Sequence, residues 1–162
     1  MTHTSFPTLD QTGVAPLEAR RGESGLTFLK RLISGEHPPP PITAVLKFKL
    51  AEAESGWATF IGLPGFDFYN PIGSVHGGWA STLLDSCMSC AILTLLPAGQ
   101  GFTTLELKVN LLRPISDQTG LLRAEGRAIH VGRTVATADG RLVDAAGKLY
   151  AHGTTTCAVL SL

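Results

Sequence analysis

Between Asn70 and Asp85 the chain reads NPIGSVHGGWASTLLD, a segment that gathers several groups able to act on a carbonyl. Gly77 and Gly78 stand where an apolar periodic stretch begins. A helix N-terminus presents unpaired N–H groups and the positive end of the helix dipole. Glycine lets a ligand approach that backbone closely. Such donors polarise a carbonyl oxygen and stabilise an oxyanion. The alternative is a glycine-rich loop-to-helix junction that binds nothing, and local rules alone do not separate the two. Asp85 falls two turns further along, and aspartate is a poor residue for a helix interior. It either faces water in a polar stripe with Ser81 and Ser89, or it is a carboxylate that activates water or attacks a carbonyl. His76 is a candidate base, but a lone histidine without a placed partner reads better as a helix cap or loop-orienting group.

These residues need a scaffold, and the hydrophobic pattern supplies its outline. Trp79, Leu83, Leu84, Cys87, Met88, Ala91, Ile92 and Leu95 recur at three- and four-residue spacings, predicting one long helix over 77–95 that Pro97 and Gly99 stop. Before it, Ile42, Ala44, Leu46, Phe48 and Leu50 alternate with polar or smaller residues and predict a strand, and a second is expected over 56–63. After the helix, strands are expected around 104–111, 119–131, 133–144 and 148–160. Successive strands with short connections favour antiparallel pairing. One apolar helix against one curved sheet is a two-layer α+β domain. Ahead of this lie a polar stretch over 1–23, a short helix from Gly25 to Ser34 capped by Ser24, and four prolines at 38–41 that favour a stiff extended linker. The expected division is an N-terminal arm over 1–41 and a domain over 42–162.

The bulk properties agree with a globular chain. Of 162 residues, 44% are apolar and 16% charged. Lys plus Arg and Asp plus Glu number 13 each, which argues against nucleic acid as a partner because phosphate binding needs an electropositive surface. No apolar run approaches the roughly 20 residues of a membrane helix, and the N-terminus has no signal-peptide pattern, so a cytoplasmic location is expected and a membrane partner is not. The 18 glycines imply tight turns or close backbone approaches. Cys87, Cys90 and Cys157 give no disulfide framework. Cys87 and Cys90 form a C-x-x-C in mid-helix, where the dipole does not activate a thiol, and they read as buried packing residues.

The segment around Asp85 resembles the signature of the hotdog-fold thioesterase superfamily, phenylacetate-degradation (PaaI) type: an Asn, a short loop, His-Gly-Gly, and an acidic residue eight positions after the first Gly. Asn70, His76, Gly77, Gly78 and Asp85 occupy these places. VNLLRPI at 109–115, Gly132-Arg133-Thr134 and GKLYAHGTTT at 147–156 extend the resemblance over about 42–160. It implies a curved antiparallel sheet wrapped around one central helix. It also implies hydrolysis of an aryl- or medium-chain acyl-CoA with no cofactor beyond the substrate's own CoA. By the same resemblance, Gly77 N–H polarises the thioester carbonyl, Asn70 helps hold it or the water, and Asp85 of the other subunit is nucleophile or general base. A hydroxyl on the following strand assists that carboxylate. Thr104 falls there, whereas Thr103, one residue away, would face the opposite side of the sheet. Gly132, Arg133 and Thr134 match the position that meets the CoA nucleotide, with Gly78 beside the substrate. A homodimer at minimum, and a homotetramer built as a dimer of dimers, is implied. A hotdog hydratase or dehydratase, with His76 as its base, and a non-catalytic acyl-CoA-binding protein are the alternative functions.

Overall fold

The computed structural model describes residues 5–162. It contains helices α1 (Leu17–Gly22), α2 (Gly25–Ser34), α3 (Pro41–Val45) and α4 (Gly77–Leu93), and strands β1 (Phe48–Glu54), β2 (Trp57–Gly62), β3 (Gln100–Leu111), β4 (Leu122–Val131), β5 (Val135–Val143) and β6 (Leu149–Ser161). The six strands form one antiparallel sheet in the order β1-β2-β4-β5-β6-β3. The sheet packs around α4, whose Leu83, Leu84, Cys87, Met88, Ala91 and Ile92 are fully buried. This is the α+β hotdog fold. Among the described residues no helix is long and apolar enough to cross a membrane.

Alternation along the strands explains how helix and sheet meet. One row across the sheet, Thr59, Glu125, Arg141, His152 and Asn110, is polar. In it the Glu125 carboxylate accepts from Arg141 Nε at 2.7 Å and pairs with Arg123 at 2.9 Å. The neighbouring row, Ala58, Gly126, Gly140, Gly153 and Val109, points to the other face, towards α4. There the lack of side chains is required. A Cβ on Gly126 would lie 2.2 Å from the carbonyl oxygen of Cys87, and one on Gly140 would lie 2.7 Å from Met88 Cγ. The α4 backbone therefore rests almost directly on the strands.

The first strand differs from the sequence expectation. Pro41 sits at the first helical position, where its fixed φ and missing N–H suit a helix start, and residues 41–45 form α3. Thr43 is the buried residue of this turn, with its hydroxyl donating to Pro40 O at 2.6 Å, while Ile42 and Val45 are exposed. The chain turns at Lys47, φ 50°, and β1 begins one residue later. The alternation of Ile42, Ala44 and Leu46 belongs to a helical turn and its exit, not to a strand. The four prolines accordingly divide: Pro38 to Pro40 are non-helical and Pro41 opens a helix. α4 ends at Leu93, two residues earlier than expected, with Gly99 at φ 80° beyond it.

Of the polar stretch over 1–23, residues 1–4 lie outside the described residues; the rest includes a 3-10 turn at Leu9–Gln11 and α1. Ser24 caps α2 by accepting from Thr27 N–H. α2 packs against the domain: Leu29 is 1% exposed, and Gly25 N–H donates to Leu96 O at 3.0 Å. A Cβ at Gly25 would overlap the Leu93 carbonyl, so glycine is what lets α2 start against the end of α4.

The glycine contact yields a stability prediction. Gly126→Ala forces α4 off the sheet and is expected to destabilise the protein by about 3 kcal/mol, the upper end of ordinary overpacking costs. Urea unfolding followed by circular dichroism checks it; an unchanged midpoint would show that the helix does not depend on this contact.

Candidate active site

Asn70 builds the loop that leads into α4. Its side-chain oxygen accepts from the N–H groups of Ile72 (3.1 Å) and Ser74 (3.2 Å), its amide nitrogen donates to Ser74 Oγ at 3.1 Å, and its backbone N–H donates to Ser74 O at 2.8 Å. This is the local self-bonding for which Asn is favoured in turns. The loop is anchored at both ends. Val75 N–H donates to Ile115 O at 2.9 Å, and Tyr69 Oη donates to Asp117 Oδ1 at 2.9 Å.

His76 is the N-cap of α4, and its Nδ1 accepts the Gly78 N–H at 2.9 Å. That bond places the ring proton of the neutral imidazole on Nε2. It also consumes the Gly78 donor. A Cβ on Gly78 would lie 2.9 Å from His76 Nδ1, so glycine permits the cap. Among the described residues nothing accepts the Gly77 N–H. Gly77 borders a cleft of about 340 Å³ that Asn70, Ser74, His76, Leu111 and Pro114 also line. Gly78 does not border it.

The carboxylate stands elsewhere. Asp85 is half-buried on α4, and Thr104 Oγ1 on β3 donates to its Oδ1 at 2.9 Å. Thr104 pairs with Cys157 on the helix-facing row, whereas Thr103 points the other way and is exposed. Cys157 Sγ lies 3.9 Å from Thr104 Oγ1, a neighbour that no spacing in the sequence signalled. Eight residues of helix separate Gly77 from Asp85, an axial distance of about 12 Å. Reacting atoms must come within about 3.5 Å, so the two halves of the site in one chain do not converge on one carbonyl.

Gly132, Arg133 and Thr134 form the β4–β5 hairpin tip. Gly132 N–H donates to Val135 O at 2.9 Å, Thr134 O accepts from Val159 N–H at 3.0 Å, and Arg133 and Thr134 are exposed. Val135 pairs with Ala158, which pairs with Thr103, so the tip lies at the Thr104 end of the sheet and not at the Gly77 cleft.

Cys87 and Cys157 are buried thiols and Cys90 is half-buried. Burial, with the negative charge of Asp85 next, pushes Cys90 from 9.0 up to about 12. Burial likewise raises Cys87 and Cys157. None of the three is poised as a thiolate. Among the described residues no group of three or more His, Cys, Asp or Glu side chains converges as a metal site.

Comparison with known proteins fits this geometry. The thioesterase superfamily profile matches residues 72–151. The solved phenylacetic acid degradation-related protein of Ralstonia eutropha JMP134 is 31% identical, with a TM-score of 0.73 over 81% of this chain and 98% of that one. A Streptococcus mutans UA159 protein solved with acetyl CoA is 25% identical, with a TM-score of 0.63 over 70% of this chain and 89% of that one. A proposed esterase of Halobacterium salinarum is 38% identical over 69 residues, 41% of this chain and 44% of that protein, so the match spans under half of that relative. The chain belongs to the hotdog-fold thioesterase superfamily.

The thiol environment predicts chemistry that can be checked directly. Native protein at pH 8 is expected to react with iodoacetamide at least ~10-fold more slowly than a free thiol, because reactivity follows the thiolate fraction and access. The raised Cys90 value contributes stability that is complete below pH 9 and is lost as pH rises towards 12. Cys90→Ser removes that alkaline slope, and a titration of the unfolding midpoint against pH reads it.

Proposed function

We propose that this protein hydrolyses the thioester of an aryl- or medium-chain acyl-CoA to the free acid and CoA, in a site shared between two copies of the chain. The observation that carries the reading is the Thr104–Asp85 hydrogen bond, set about 12 Å along α4 from an unpaired Gly77 N–H. A carboxylate held by a hydroxyl and an oxyanion donor are the two parts that thioester hydrolysis needs. The CoA-bound Streptococcus relative and the thioesterase profile support the substrate class.

The geometry of the edge strand supports a second copy. β3 is an edge strand, with β6 on one side and no strand on the other among the described residues. Leu105, Leu107 and Leu111 are exposed along it. Such an edge invites pairing with a second strand. β3 runs opposite to α4, with Thr104 beside Asp85 and Leu111 beside Gly77. A two-fold axis that pairs β3 antiparallel with its own copy brings the Asp85 end of one chain to the Gly77 end of the other. The same operation carries Arg133 and Thr134 towards the partner's cleft, where a cation and backbone donors suit CoA phosphates.

In this arrangement the thioester carbonyl accepts from Gly77 N–H while its carbon is attacked. Asp85 takes the proton of the attacking water or adds directly; Thr104 orients it. Collapse of the tetrahedral intermediate breaks the C–S bond, and CoA leaves as a thiolate that takes a proton from protonated Asp85 or, on the direct route, from solvent. On that route water then hydrolyses the acyl–Asp85 anhydride, releasing the acid and restoring the carboxylate. Asn70 acts by shaping the loop, and His76 by capping the helix. With Nδ1 of His76 committed to Gly78, a hydratase built on that base is disfavoured.

Asp85→Asn keeps the shape and removes the base. It is expected to lower kcat by at least ~100-fold with KM little changed, measured on the best of a panel of aryl- and fatty-acyl-CoA substrates; near wild-type turnover would refute the mechanism. Mixing inactive Asp85→Asn with Gly77→Pro, which has no N–H to donate yet suits a first helical position, should restore activity, because each mixed dimer holds one intact composite site. Random assortment gives about a quarter of wild-type activity, whereas sites confined to one chain give none. Arg133→Ala should weaken CoA binding and reduce its salt dependence, read by calorimetry in low and high salt.

A further inference from the structure

A second cavity, of about 310 Å³, lies between α2, α4 and the start of β3, and the acyl-transfer chemistry above does not account for it. Its walls are apolar: Phe28, Leu29 and Leu32 from α2, Cys90 from α4 and Phe102 from β3. Its size is at the lower end of ordinary small-molecule sites. One cation lines it, Arg20 of α1.

The cavity is lined by the same two elements, α4 and β3, that carry Asp85 and Thr104. Phe102 stands two residues before Thr104 on the same face of β3, with no bulge between them. Cys90 is five residues beyond Asp85 on α4, about 7.5 Å along the helix axis. An acyl chain whose carbonyl sits beside Asp85 would meet this slot about 7 Å further on, the length of two strand residues.

Arg20 decides what the far end of that chain should be. Its Nε is buried and has no hydrogen-bond partner among the described residues. Glu23, the acidic residue on the same wall, is already engaged: one oxygen by Arg31 and the other by His37 Nε2 at 3.2 Å. A guanidinium stays charged at any working pH, and a buried donor without an acceptor is costly. The missing group is an acceptor, and against a permanent cation a carboxylate is the strongest one.

We propose that the cavity under the N-terminal helices holds the distal part of the acyl chain, and that Arg20 binds a carboxylate at its end. The preferred substrates are then CoA monothioesters of medium-chain dicarboxylic acids. This rests on the acyl-CoA hydrolase reading and narrows it. α1 and α2 lie outside residues 72–151, the segment that matches the superfamily profile.

The test compares kcat/KM for suberoyl-CoA, octanoyl-CoA and butyryl-CoA in wild type, Arg20→Met and Leu32→Trp. Wild type should prefer suberoyl- over octanoyl-CoA by at least ~10-fold, the scale on which a site with a buried polar group rejects an analogue lacking its partner. Arg20→Met should bring that ratio to about one or reverse it. Leu32→Trp fills the slot and should lower both eight-carbon substrates relative to butyryl-CoA. Ratios within one protein cancel any general loss of folded enzyme. If hydrolysis occurs but neither substitution alters the chain-length or end-group ratios, the cavity proposal is overturned and the hydrolase reading stands. If none of these three acyl-CoAs is hydrolysed, the cavity proposal is overturned, and the hydrolase reading fails with it if the aryl-acyl-CoAs are inert as well.

Discussion

The close fit of α4 against the glycines of β4 and β5, its backbone on Gly126 and its side chains on Gly140, positions nearly everything else. A side chain at Gly126 would overlap the peptide of Cys87, so the helix sits at a separation that only glycine permits. This contact lies two residues past Asp85. It holds that carboxylate where Thr104 Oγ1 can donate to it from β3 at 2.9 Å. A helix raised by even one methyl group would move the carboxylate relative to the strand that orients it. The fully buried apolar face of α4 and the small inner row of the sheet are therefore two sides of one fit, and the catalytic geometry inherits its rigidity.

The same helix separates the two kinds of chemistry. Its N-terminus carries the free donor at Gly77, prepared by the Asn70 loop and the His76 cap, and its middle carries the carboxylate. A rigid helix cannot bring groups two turns apart onto one bond. Strand β3 runs alongside in the opposite direction with one side unpaired, which lets a two-fold partner bring the two ends together. In the proposed dimer, catalysis and assembly are one requirement: an edge strand that is an aggregation hazard on its own would become the seam that completes the site.

The N-terminal helices add a further layer. α2 begins against the end of α4 and spans towards the start of β3, leaving the apolar slot lined by Phe28, Leu29, Leu32 and Phe102. The loop at the helix N-terminus and the extension at its C-terminal half thus border different parts of the molecule, one carrying a free N–H donor and one an apolar slot.

Much of this was legible in the residues. The three- and four-residue spacings from Trp79 to Ile92 specify α4, and the Gly77–Asp85 interval fixes their separation because helix rise is constant. Strand parity separates Thr104 from Thr103, because successive side chains point to opposite faces, but which of them faces inward came from the family resemblance: Leu105 and Leu107 are exposed, and the register shifts between Thr104 and Glu106. The stretch from Ile42 to Leu46 misled, because an alternation of three apolar residues also fits one helical turn, and Pro41 at the first helical position tipped the local choice. Other features had no local signature. That β3 lies beside β6 and not β4, that Gly126 and Gly140 meet Cys87 and Met88, that the Gly78 N–H is spent on His76 while Gly77's is free, and that Arg20 lines a cavity with Cys90 were decided only by the folded chain. Short-range geometry is set by the rise of a helix and the period of a strand, which the sequence by itself determines. Long-range neighbours depend on which faces bury one another, and that choice is made by the whole core at once.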